Sequence, residues 1–305
     1  MKISIGICAY NEEDNIGNLL ENLSMEYLPQ AFKLEEILVV SSGSTDRTND
    51  IVSRLAEKDQ RIRLITEKER GGKAQALNIF FDNAKGDILV VISADTRIAE
   101  GSIARLVDTM GPSVGGACAK TLPRNKNPAV IEYCYWFLWK VHNRALREES
   151  KNGTLGHLGG DMWAVRKGIV AHIPKDVIND DAYLGIALRK KGWPIVFVPK
   201  AEVLIGGPAT PMEYIHQRVR IVIGHKQLKE MTGVEPTTIG ALAFRKPLFS
   251  LRILLDEIRI HEIRDYPKIL MGLVLEVVAQ TLARVNFKKR SKYLKWKQIR
   301  STKTI

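Results

Sequence analysis

The segment Asp87-Ile88-Leu89-Val90-Val91-Ile92-Ser93-Ala94-Asp95 has the composition of a strand that is buried on both faces. Its apolar run lacks the polar alternation of a strand with one face in water, which is typical of the centre of a parallel sheet. Such sheets bind ligands at the carboxyl ends of their strands, which is where Ser93, Ala94 and Asp95 fall. We therefore predict an α/β fold with a binding site at this edge.

Apolar runs alternate with helical patterns before this strand. We count short continuous apolar runs as buried strands, and apolar residues spaced three and four apart as helices. The predicted strands are 3–9, 36–40 and 62–66, and the predicted helices are 15–23, 46–56 and 74–84. This order predicts a doubly wound, mainly parallel sheet that is flanked by helices.

The pattern changes in the second half of the chain. An aromatic-rich helix is predicted at 129–146 and a long helix at 212–231, with a glycine-rich loop at 153–160 between them. After Pro236 the sequence is mostly helical and amphipathic. We therefore divide the chain into an α/β domain, residues 1–235, and a helical, basic C-terminal extension, residues 236–305.

The net charge of +12 and the pI near 9.5 predict an anionic partner, which could be nucleic acid, a membrane surface or a phosphorylated substrate. The three cysteines, Cys8, Cys118 and Cys134, form no CxxC pair, which argues against a disulfide framework and a zinc site. A reduced, cytoplasmic environment fits this cysteine usage. The first residues form a strand pattern without the charged leader and apolar core of a secretory signal.

The C-terminal extension has the features of a membrane-surface segment. Its most apolar stretch, residues 269–285, is interrupted by Glu276, Gln280 and Arg284. A spanning helix needs about 20 largely apolar residues, so we expect this stretch to lie on a surface or to pack against the α/β domain. Residues 286–305 contain eight Lys or Arg residues and no acidic residue. These cations predict peripheral association with an anionic membrane at its cytoplasmic face, although a solvated tail is the simpler alternative.

Two familiar phosphate-binding motifs are absent from the sequence. It has no glycine-rich Rossmann fingerprint and no GxxxxGK[ST] loop, which disfavours NAD enzymes and P-loop NTPases. Polar segments follow the predicted strands instead. They are CAYNEEDNI at 8–16, VVSSGSTDRT at 39–48, RGGKAQALN at 70–78 and SAD at 93–95.

In this order and spacing, the four segments resemble those of the inverting glycosyltransferases of family 2, which have the GT-A fold. The resemblance continues through GGDMWAVR at 159–166, DDAYLG at 180–185 and QRVR at 217–220, and it covers roughly residues 1 to 230. It implies a GT-A type sheet and the transfer of a sugar, with inversion, from a nucleotide-sugar donor to an acceptor hydroxyl or phosphate.

The resemblance also implies donor-binding roles for residues in the polar segments. Glu12 corresponds to a residue at the nucleoside pocket and Asp46 to the acid of a GSxD loop, although both could instead cap helices. Lys73 follows two glycines at a helix start, where phosphate can bind. The donor-binding candidates are Ala9, Tyr10, Glu12, Ser42, Asp46, Lys73, Asn78, Ser93, Ala94 and Asp95.

Asp95 resembles the last acid of the family's DxD metal motif, which implies Mg²⁺ or Mn²⁺ as cofactor. Such cations prefer oxygen ligands and neutralise charge on a departing diphosphate. Ser93 stands where the motif has its first acid, and Ser41-Ser42 stands at another usually acidic position. The metal affinity is therefore expected to be modest, unless further ligands come from elsewhere in the chain.

Asp181 aligns with the family's catalytic base, and Asp180 replaces the glutamate that precedes it. Neighbouring carboxylates raise one another's pKa, which helps one of them to accept a proton near neutral pH. The alternative reading is that both are first-turn acids of a helix, favoured there by the helix dipole. The sequence leaves both readings open.

The acceptor and diphosphate candidates are Gly160, Asp161, Trp163, Gln217, Arg218 and Arg220. Trp163 is the tryptophan best placed to stack on a sugar. Gln217, Arg218 and Arg220 resemble the QxxRW signature, with Ile221 in place of its tryptophan. A polyprenyl phosphate, another lipid-linked acceptor and a soluble acceptor all remain open.

Two other classes compete with the glycosyltransferase hypothesis. The positive charge permits nucleic-acid binding, but the acidic strand ends argue against it, so no nucleic-acid partner is expected. Sugar nucleotidyltransferases use a related sheet, but their GxGTR loop is absent after the first strand.

Overall fold

The computed structural model describes residues 1–124, 130–170, 172–236, 246–295 and 301. Within this part of the chain, one mixed sheet is flanked by helices. The strands are β1 Lys2–Ala9, β2 Lys33–Ser42, β3 Ile62–Glu67, β4 Ile88–Ser93, β5 Thr96–Ile98, β6 Gly116–Pro123, β7 Met162–Arg166 and β8 Ile195–Ile205. The helices are α1 Ile16–Ser24, α2 Thr48–Lys58, α3 Lys73–Asn83, α4 Ser102–Asp108, α5 Val130–Lys151, α6 Asp180–Lys190, α7 Pro211–Thr232, α8 Pro247–Ile258 and α9 Tyr266–Asn286.

The strands follow the order β3-β2-β1-β4-β7-β6-β8-β5 across the sheet. The first four are parallel, β7 runs antiparallel to both of its neighbours, and β5 is antiparallel to β8. β1 and β4 lie side by side in register from Ile3 opposite Ile88 to Cys8 opposite Ser93. Their carboxyl ends therefore place the segments after Cys8 and Ser93 at one edge.

Alternate residues of the central strands enter two different cores. Val90 and Ile92 of β4 join a cluster with α1 and α4, whereas Leu89 and Val91 join a cluster with α3 and α6. Because both faces of β4 are covered, the strand must be apolar on both faces. This packing accounts for the unbroken apolar run in the sequence.

The predicted elements of the first half are confirmed, with ends that differ by a few residues. The predicted helix at 129–146 is observed from Val130 to Lys151, and Ala129 lies outside the described residues. The antiparallel strands β5 and β7 were not predicted, because short strands lack a clear periodic signal. The division at residue 235 stays a prediction, and residues 237–245 beside it lie outside the described part.

The three long helices α5, α7 and α9 pack together beside the sheet, and α8 packs on α5. α9 meets α5 where its Gly272 approaches Cys134, and it meets α7 through Ala279 and Ala283. Much of the rest of α9 is exposed. The exposed large apolar residues of α9 are Leu270, Met271, Leu273, Val274, Val277, Val278, Leu282 and Val285.

We expected residues 269–285 to be too short and too interrupted for a membrane span, and for length this expectation is wrong. The helical segment Ile263–Tyr293, which includes α9, has 31 residues, and an 18-residue window within it has a mean hydropathy of 1.4. Only 22% of that window is buried. By length and composition alone the segment could cross a membrane. The polar residues Glu276, Gln280 and Arg284 are spaced widely enough for the 18-residue window to keep this mean hydropathy.

Gly6 of β1 is a test of the packing between the sheet and α3. A Cβ atom at this position would lie 2.5 Å from the Phe80 ring. We expect Gly6→Ala to lower the free energy of unfolding by about 1–3 kcal/mol, as overpacking usually does. Urea denaturation measures the change. The control is Gly111→Ala, where no heavy atom of the described residues lies within 4 Å, and equal stability of the two variants would contradict the packing.

Candidate active site

The carboxyl ends of β1, β2 and β4 open onto a cavity of about 510 Å³, a volume in the range of small-molecule sites. Helices α3, α5, α6, α7, α8 and α9 also contribute residues to its wall. Most of the predicted site residues line it. They are Ala9, Tyr10, Glu12, Ser42, Lys73, Ser93, Ala94, Asp95, Gly160, Asp161, Asp180, Asp181, Gln217, Arg218 and Arg220.

Asp46, Asn78 and Trp163 do not line this cavity. Asp46 Oδ1 accepts hydrogen bonds from the backbone N–H and hydroxyl of Thr48, the first residue of α2, and Asp46 Oδ2 accepts one from the Glu13 N–H. Both polar groups of the Asn78 amide bond the backbone of Ile173. Trp163 is 1% exposed and packs in the core, because β7 lies inside the sheet.

Hydrogen bonds between loops hold the first strand end in place. Asn11 has a φ of 52°, a left-handed conformation that is uncommon outside glycine. Its side-chain oxygen accepts a hydrogen bond of 2.8 Å from the Thr45 N–H. The Gly71 N–H donates to the Ser42 hydroxyl at 3.0 Å, and the Arg70 guanidinium lies 3.9 Å from the centre of the Tyr10 ring. Together these contacts fix an aromatic–cation pair at the cavity wall.

Asp161 provides a carboxylate beside Ser93, the position where the metal motif lacks its first acid. The Ser93 hydroxyl donates to Asp161 Oδ1 at 3.1 Å. Burial raises the pKa of Asp161 to about 6, and the negative charge of Asp95 adds to this rise. A buried carboxylate whose pKa is raised by a neighbouring carboxylate is suited to binding a cation beside that neighbour. Gly160 precedes Asp161 and has a φ of 109°. A Cβ atom added at this position would lie 2.6 Å from the Thr121 hydroxyl, so the turn requires glycine.

Lys73 at the start of α3 faces the acidic start of α6. Its Nζ lies 3.5 Å from Asp180 Oδ2, and 40% of its side chain is exposed. Burial alone would lower the pKa of Lys73, but the charges of Asp180, Asp181 and Asp161 outweigh burial and raise it. Lys73 therefore stays cationic among these carboxylates, and its exposed fraction leaves it accessible to an anionic ligand.

The two neighbouring carboxylates of α6 differ in their surroundings. Burial raises the pKa of Asp180. Burial would do the same to Asp181, but the charge of a protonated His157 and a hydrogen bond of 3.1 Å from its Nε2 hold the pKa of Asp181 below its usual range. Carboxylates whose pKa values are pushed apart are typical of catalytic pairs. Asp181 is therefore the member that stays ionised, and the expectation that its neighbour raises the pKa of Asp181 is wrong, because the raised pKa is that of Asp180.

A glycine on α6 lets His157 reach Asp181. Gly185 lies one helical turn after Asp181, and a Cβ there would be 2.7 Å from the His157 Cα and 2.8 Å from the Gly156 carbonyl oxygen. The loop at 156–157 can therefore approach the helix only because residue 185 has no side chain. Since His157 is 5% exposed, its ring is held between Asp181 and its histidine neighbours.

Helix α7 holds the segment that leads into Asp180. The Ile178 N–H donates to Gln227 Oε1 at 3.0 Å, and Arg220 Nη2 donates to the Ile178 carbonyl oxygen at 3.0 Å. Asn179 Nδ2 donates to the Ile221 carbonyl oxygen at 2.9 Å. The absence of a side chain at Gly224 permits this approach, since a Cβ would lie 2.4 Å from Asn179 Oδ1. The motif at 217–220 therefore positions the acidic residues as well as lining the cavity.

Arg218 is joined to α9 by a two-bond ion pair. Its Nε and Nη2 lie 2.7 and 3.0 Å from the two carboxylate oxygens of Glu276, and the Tyr214 hydroxyl donates to the same carboxylate at 2.8 Å. Gln217 Nε2 donates to the Tyr135 hydroxyl at 3.2 Å. Glu276, which interrupts the apolar sequence of α9, is thus a half-buried partner of the predicted site.

Several lining residues were missed by sequence reasoning. Rings of His142 and His225 lie 5.9 Å from the ring of His157, and Trp139 stacks edge-on against His142. Burial lowers the pKa of His142 to about 3, so this ring is neutral. No group of three metal-binding side chains occurs among the described residues. The only sequence signal for His157 was its place in the glycine-rich loop.

The sequence profile of glycosyl transferase family 2 matches residues 4–173, more than half of the chain. The chain therefore belongs to glycosyl transferase family 2. This confirms the resemblance and the enzyme class that it implied, and it leaves the nucleic-acid-binding and nucleotidyltransferase alternatives without support.

Two curated relatives give the same family assignment. A poly-beta-1,6-N-acetyl-D-glucosamine synthase of Staphylococcus aureus (strain MSSA476) is 25% identical over 228 residues, which cover 72% of this chain and 53% of the relative. A protein named probable glycosyltransferase YdaM of Bacillus subtilis (strain 168) is 28% identical over 247 residues, 74% of this chain and 55% of the relative. The chain thus spans about half the length of the curated relatives it matches.

A solved structure shows the same fold. A mannosyltransferase from Pyrobaculum calidifontis, in complex with GDP-Man and Mn²⁺, superposes with a TM-score of 0.64 and 22% identity, over 96% of this chain and 84% of that one. The GT-A type fold, with a mainly parallel sheet flanked by helices, is therefore confirmed.

The contact between His157 and Asp181 predicts a measurable change in titration. Because His157 lowers the pKa of Asp181, we expect His157→Phe to raise that pKa toward its ordinary value, so that Asp181 becomes protonated at a higher pH. NMR titration of aspartate carboxyl carbons measures the shift.

The matched control is His172→Phe, which removes an exposed histidine bonded to Asp82. An Asp181 titration that is the same in His157→Phe and in the wild type would remove His157 as the cause.

Proposed function

We propose that the protein transfers a sugar from a nucleoside-diphosphate sugar to an acceptor, with inversion at the anomeric carbon. The observation that carries this proposal is the strand-end cavity, in which Asp95 and Asp161 lie on one side and Asp180 and Asp181 surround Lys73. Family membership supports a sugar donor, and the arrangement offers separate groups for the diphosphate and for the attacking oxygen.

We propose Asp95 and Asp161 as the ligands of Mg²⁺ or Mn²⁺. Their oxygens are hard ligands of the kind these cations prefer, and the raised pKa of Asp161 supports a place for positive charge between them. The bound cation would neutralise negative charge on the departing nucleoside diphosphate. Asp161 would thus supply the carboxylate that is absent at position 93, where this chain has serine. The Mn²⁺ in the complex of the similar mannosyltransferase supports the choice of a divalent cation.

The donor-binding roles are proposed for residues at the strand ends and the start of α3. Lys73 is cationic, partly exposed and next to the first turn of α3, which suits binding of a phosphate. The Tyr10–Arg70 pair, with Glu12 and Ser42 beside it in the cavity wall, suits the nucleoside. Arg220 lines the same cavity, donates to the Ile178 and Tyr293 carbonyl oxygens, and offers a second positive charge for the diphosphate.

We propose Asp181 as the base that takes the proton of an acceptor hydroxyl. It is ionised, and both the His157 ring and the Ala182 N–H, at 2.8 Å, hold its orientation. Asp180 instead pairs with Lys73. A phosphate acceptor would already be ionised and would need no base, so the two acceptor classes predict different effects of removing the Asp181 charge.

We propose that the protein acts at the cytoplasmic surface of an anionic membrane on a lipid-linked acceptor. The exposed leucine and valine side chains of α8 and α9 support this placement, because contiguous apolar surface of this kind is rare on a protein surrounded by water. The exposed cations Arg284, Lys288, Lys289, Arg290 and Lys292 follow at the end of α9 and suit anionic headgroups. α9 is packed against α5 and α7 on its other side, which favours lying on the membrane over crossing it.

The metal ligands are tested by removing one carboxylate at a time. We expect Asp95→Asn and Asp161→Asn each to weaken Mn²⁺-dependent binding of GDP or UDP by at least about tenfold, because each removes a charged oxygen ligand. Calorimetry measures the binding, with Asp82→Asn as an exposed control.

The raised pKa of Asp161 fixes the sign of the pH dependence. Protons compete with the metal once the pH falls below about 6, so affinity should decrease on the acid side and level off above it. Unchanged affinity in Asp161→Asn would place the metal elsewhere.

The proposed base is tested with two acceptor classes. We expect Asp181→Asn to lower turnover with a hydroxyl acceptor by roughly 10²-fold or more while leaving donor binding nearly intact. The same variant should lose far less with a phosphate acceptor. Steady-state kinetics measure both, and near-normal turnover with a hydroxyl acceptor would exclude Asp181 as the base.

A further inference from the structure

The cavity extends beyond the charged strand ends into a second, apolar part. Here it is lined by residues of three helices, and none of their side chains is charged. We call this part the apolar arm, and it is formed by Cys134, Phe137, Leu138 and Val141 of α5, Leu254 of α8 and Leu273 of α9. None of the residues proposed for the donor, the metal or the base is among these six.

Polar groups from the same helices also line the cavity. Arg218 of α7 pairs with Glu276 of α9, and His142 and Tyr135 of α5 are further lining residues. His142 is neutral because burial lowers its pKa to about 3. A ligand that fills the whole cavity must therefore be charged or polar at one end and apolar at the other.

The apolar arm is continuous with the exposed apolar face of α8 and α9. Leu273 lines the cavity and is also 37% exposed. Leu270, Val274 and Val277 surround it on α9, at 63%, 53% and 65% exposure. A hydrocarbon chain could therefore pass from this face into the arm without leaving an apolar surface.

We infer that the apolar arm binds the hydrocarbon chain of a lipid acceptor, which enters from the membrane side beside Leu273 and presents its polar head to Asp181. This inference rests on the proposed function and identifies the class of acceptor. The alternative is that the apolar arm is a packing defect. A packing defect does not account for Leu273, which both lines the arm and is exposed on the apolar face of α9. Chain burial would raise affinity by about fourfold per methylene.

The test measures binding of n-alkyl phosphates and n-alkyl β-D-glucosides with chains of roughly six to ten carbons, below their micelle concentrations. For the wild type we expect affinity to rise with each added methylene for at least one of the two head groups. Tighter binding of the alkyl phosphates would indicate a phosphate acceptor, and tighter binding of the alkyl glucosides would indicate a hydroxyl acceptor. An affinity independent of chain length for both series would overturn the inference.

Leu273→Glu and Leu270→Glu are a matched pair on α9. Both place a carboxylate on the exposed apolar face, but only residue 273 lines the cavity. We expect both variants to co-sediment less with anionic liposomes of phosphatidylglycerol and phosphatidylcholine, and only Leu273→Glu to lose the chain-length dependence. If both variants lose the chain-length dependence equally, the claim that the apolar arm binds the hydrocarbon chain is contradicted.

Leu254→Phe and Leu251→Phe form an uncharged second pair on α8. Leu254 lines the arm, whereas Leu251 is 51% exposed and does not. We expect Leu254→Phe to bind long chains less tightly while short chains are unaffected, and Leu251→Phe to behave as the wild type. Thermal unfolding followed by circular dichroism confirms that all four variants are folded.

Two further measurements separate this inference from the proposed function. Mn²⁺-dependent binding of GDP or UDP should be unchanged in Leu273→Glu. If the wild type binds the alkyl chains but shows no Mn²⁺-dependent binding of GDP or UDP, the proposed function is contradicted and the inference about the apolar arm is not. Sedimentation velocity tests a second copy as the occupant of the apolar face. A dimer that Leu270→Glu dissociates would overturn the membrane route into the arm.

Discussion

The arrangement of the site follows from bringing several carboxylates into one cavity. Asp161, Asp180 and Asp181 lie close enough to raise the pKa of Lys73, although burial alone would lower it. Such a cluster is tolerated only if positive charge or protons compensate it. Lys73, the His157 ring and the proton that Asp161 holds below about pH 6 provide this compensation, and a bound cation would replace that proton.

The helices outside the sheet determine how these carboxylates are oriented. Helix α7 binds the backbone before Asp180 through Gln227 and Arg220, and Gly224 permits the close approach. The same helix reaches α9 through Arg218 and Glu276. The apolar surface helix α9 and the acidic start of α6 are thus connected through α7, which links an exposed apolar surface to the proposed chemistry.

Ser93 stands where the DxD motif of the family has its first acid, and the carboxylate of Asp161 lies beside it. In the proposed metal site Asp161 supplies the carboxylate that is absent at residue 93. The hydrogen bond from the Ser93 hydroxyl to Asp161 holds this carboxylate in place. The two positions are far apart in sequence and adjacent in the sheet, because β7 lies next to β4.

The sequence alone determined the order of strands and helices as far as β4 and the edge that carries the site, because those depend on local apolar periodicity and on the geometry of parallel strands. It also determined the family, since the polar loops are continuous segments. Which side chains of those loops face the cavity was decided only by the tertiary structure. Trp163 packs in the core, the Asp46 carboxylate bonds Thr48 at the start of α2, and His157 reaches Asp181 only because Gly185 lets a distant loop approach. Side-chain direction and pKa depend on neighbours that are remote in sequence, and no local pattern records them.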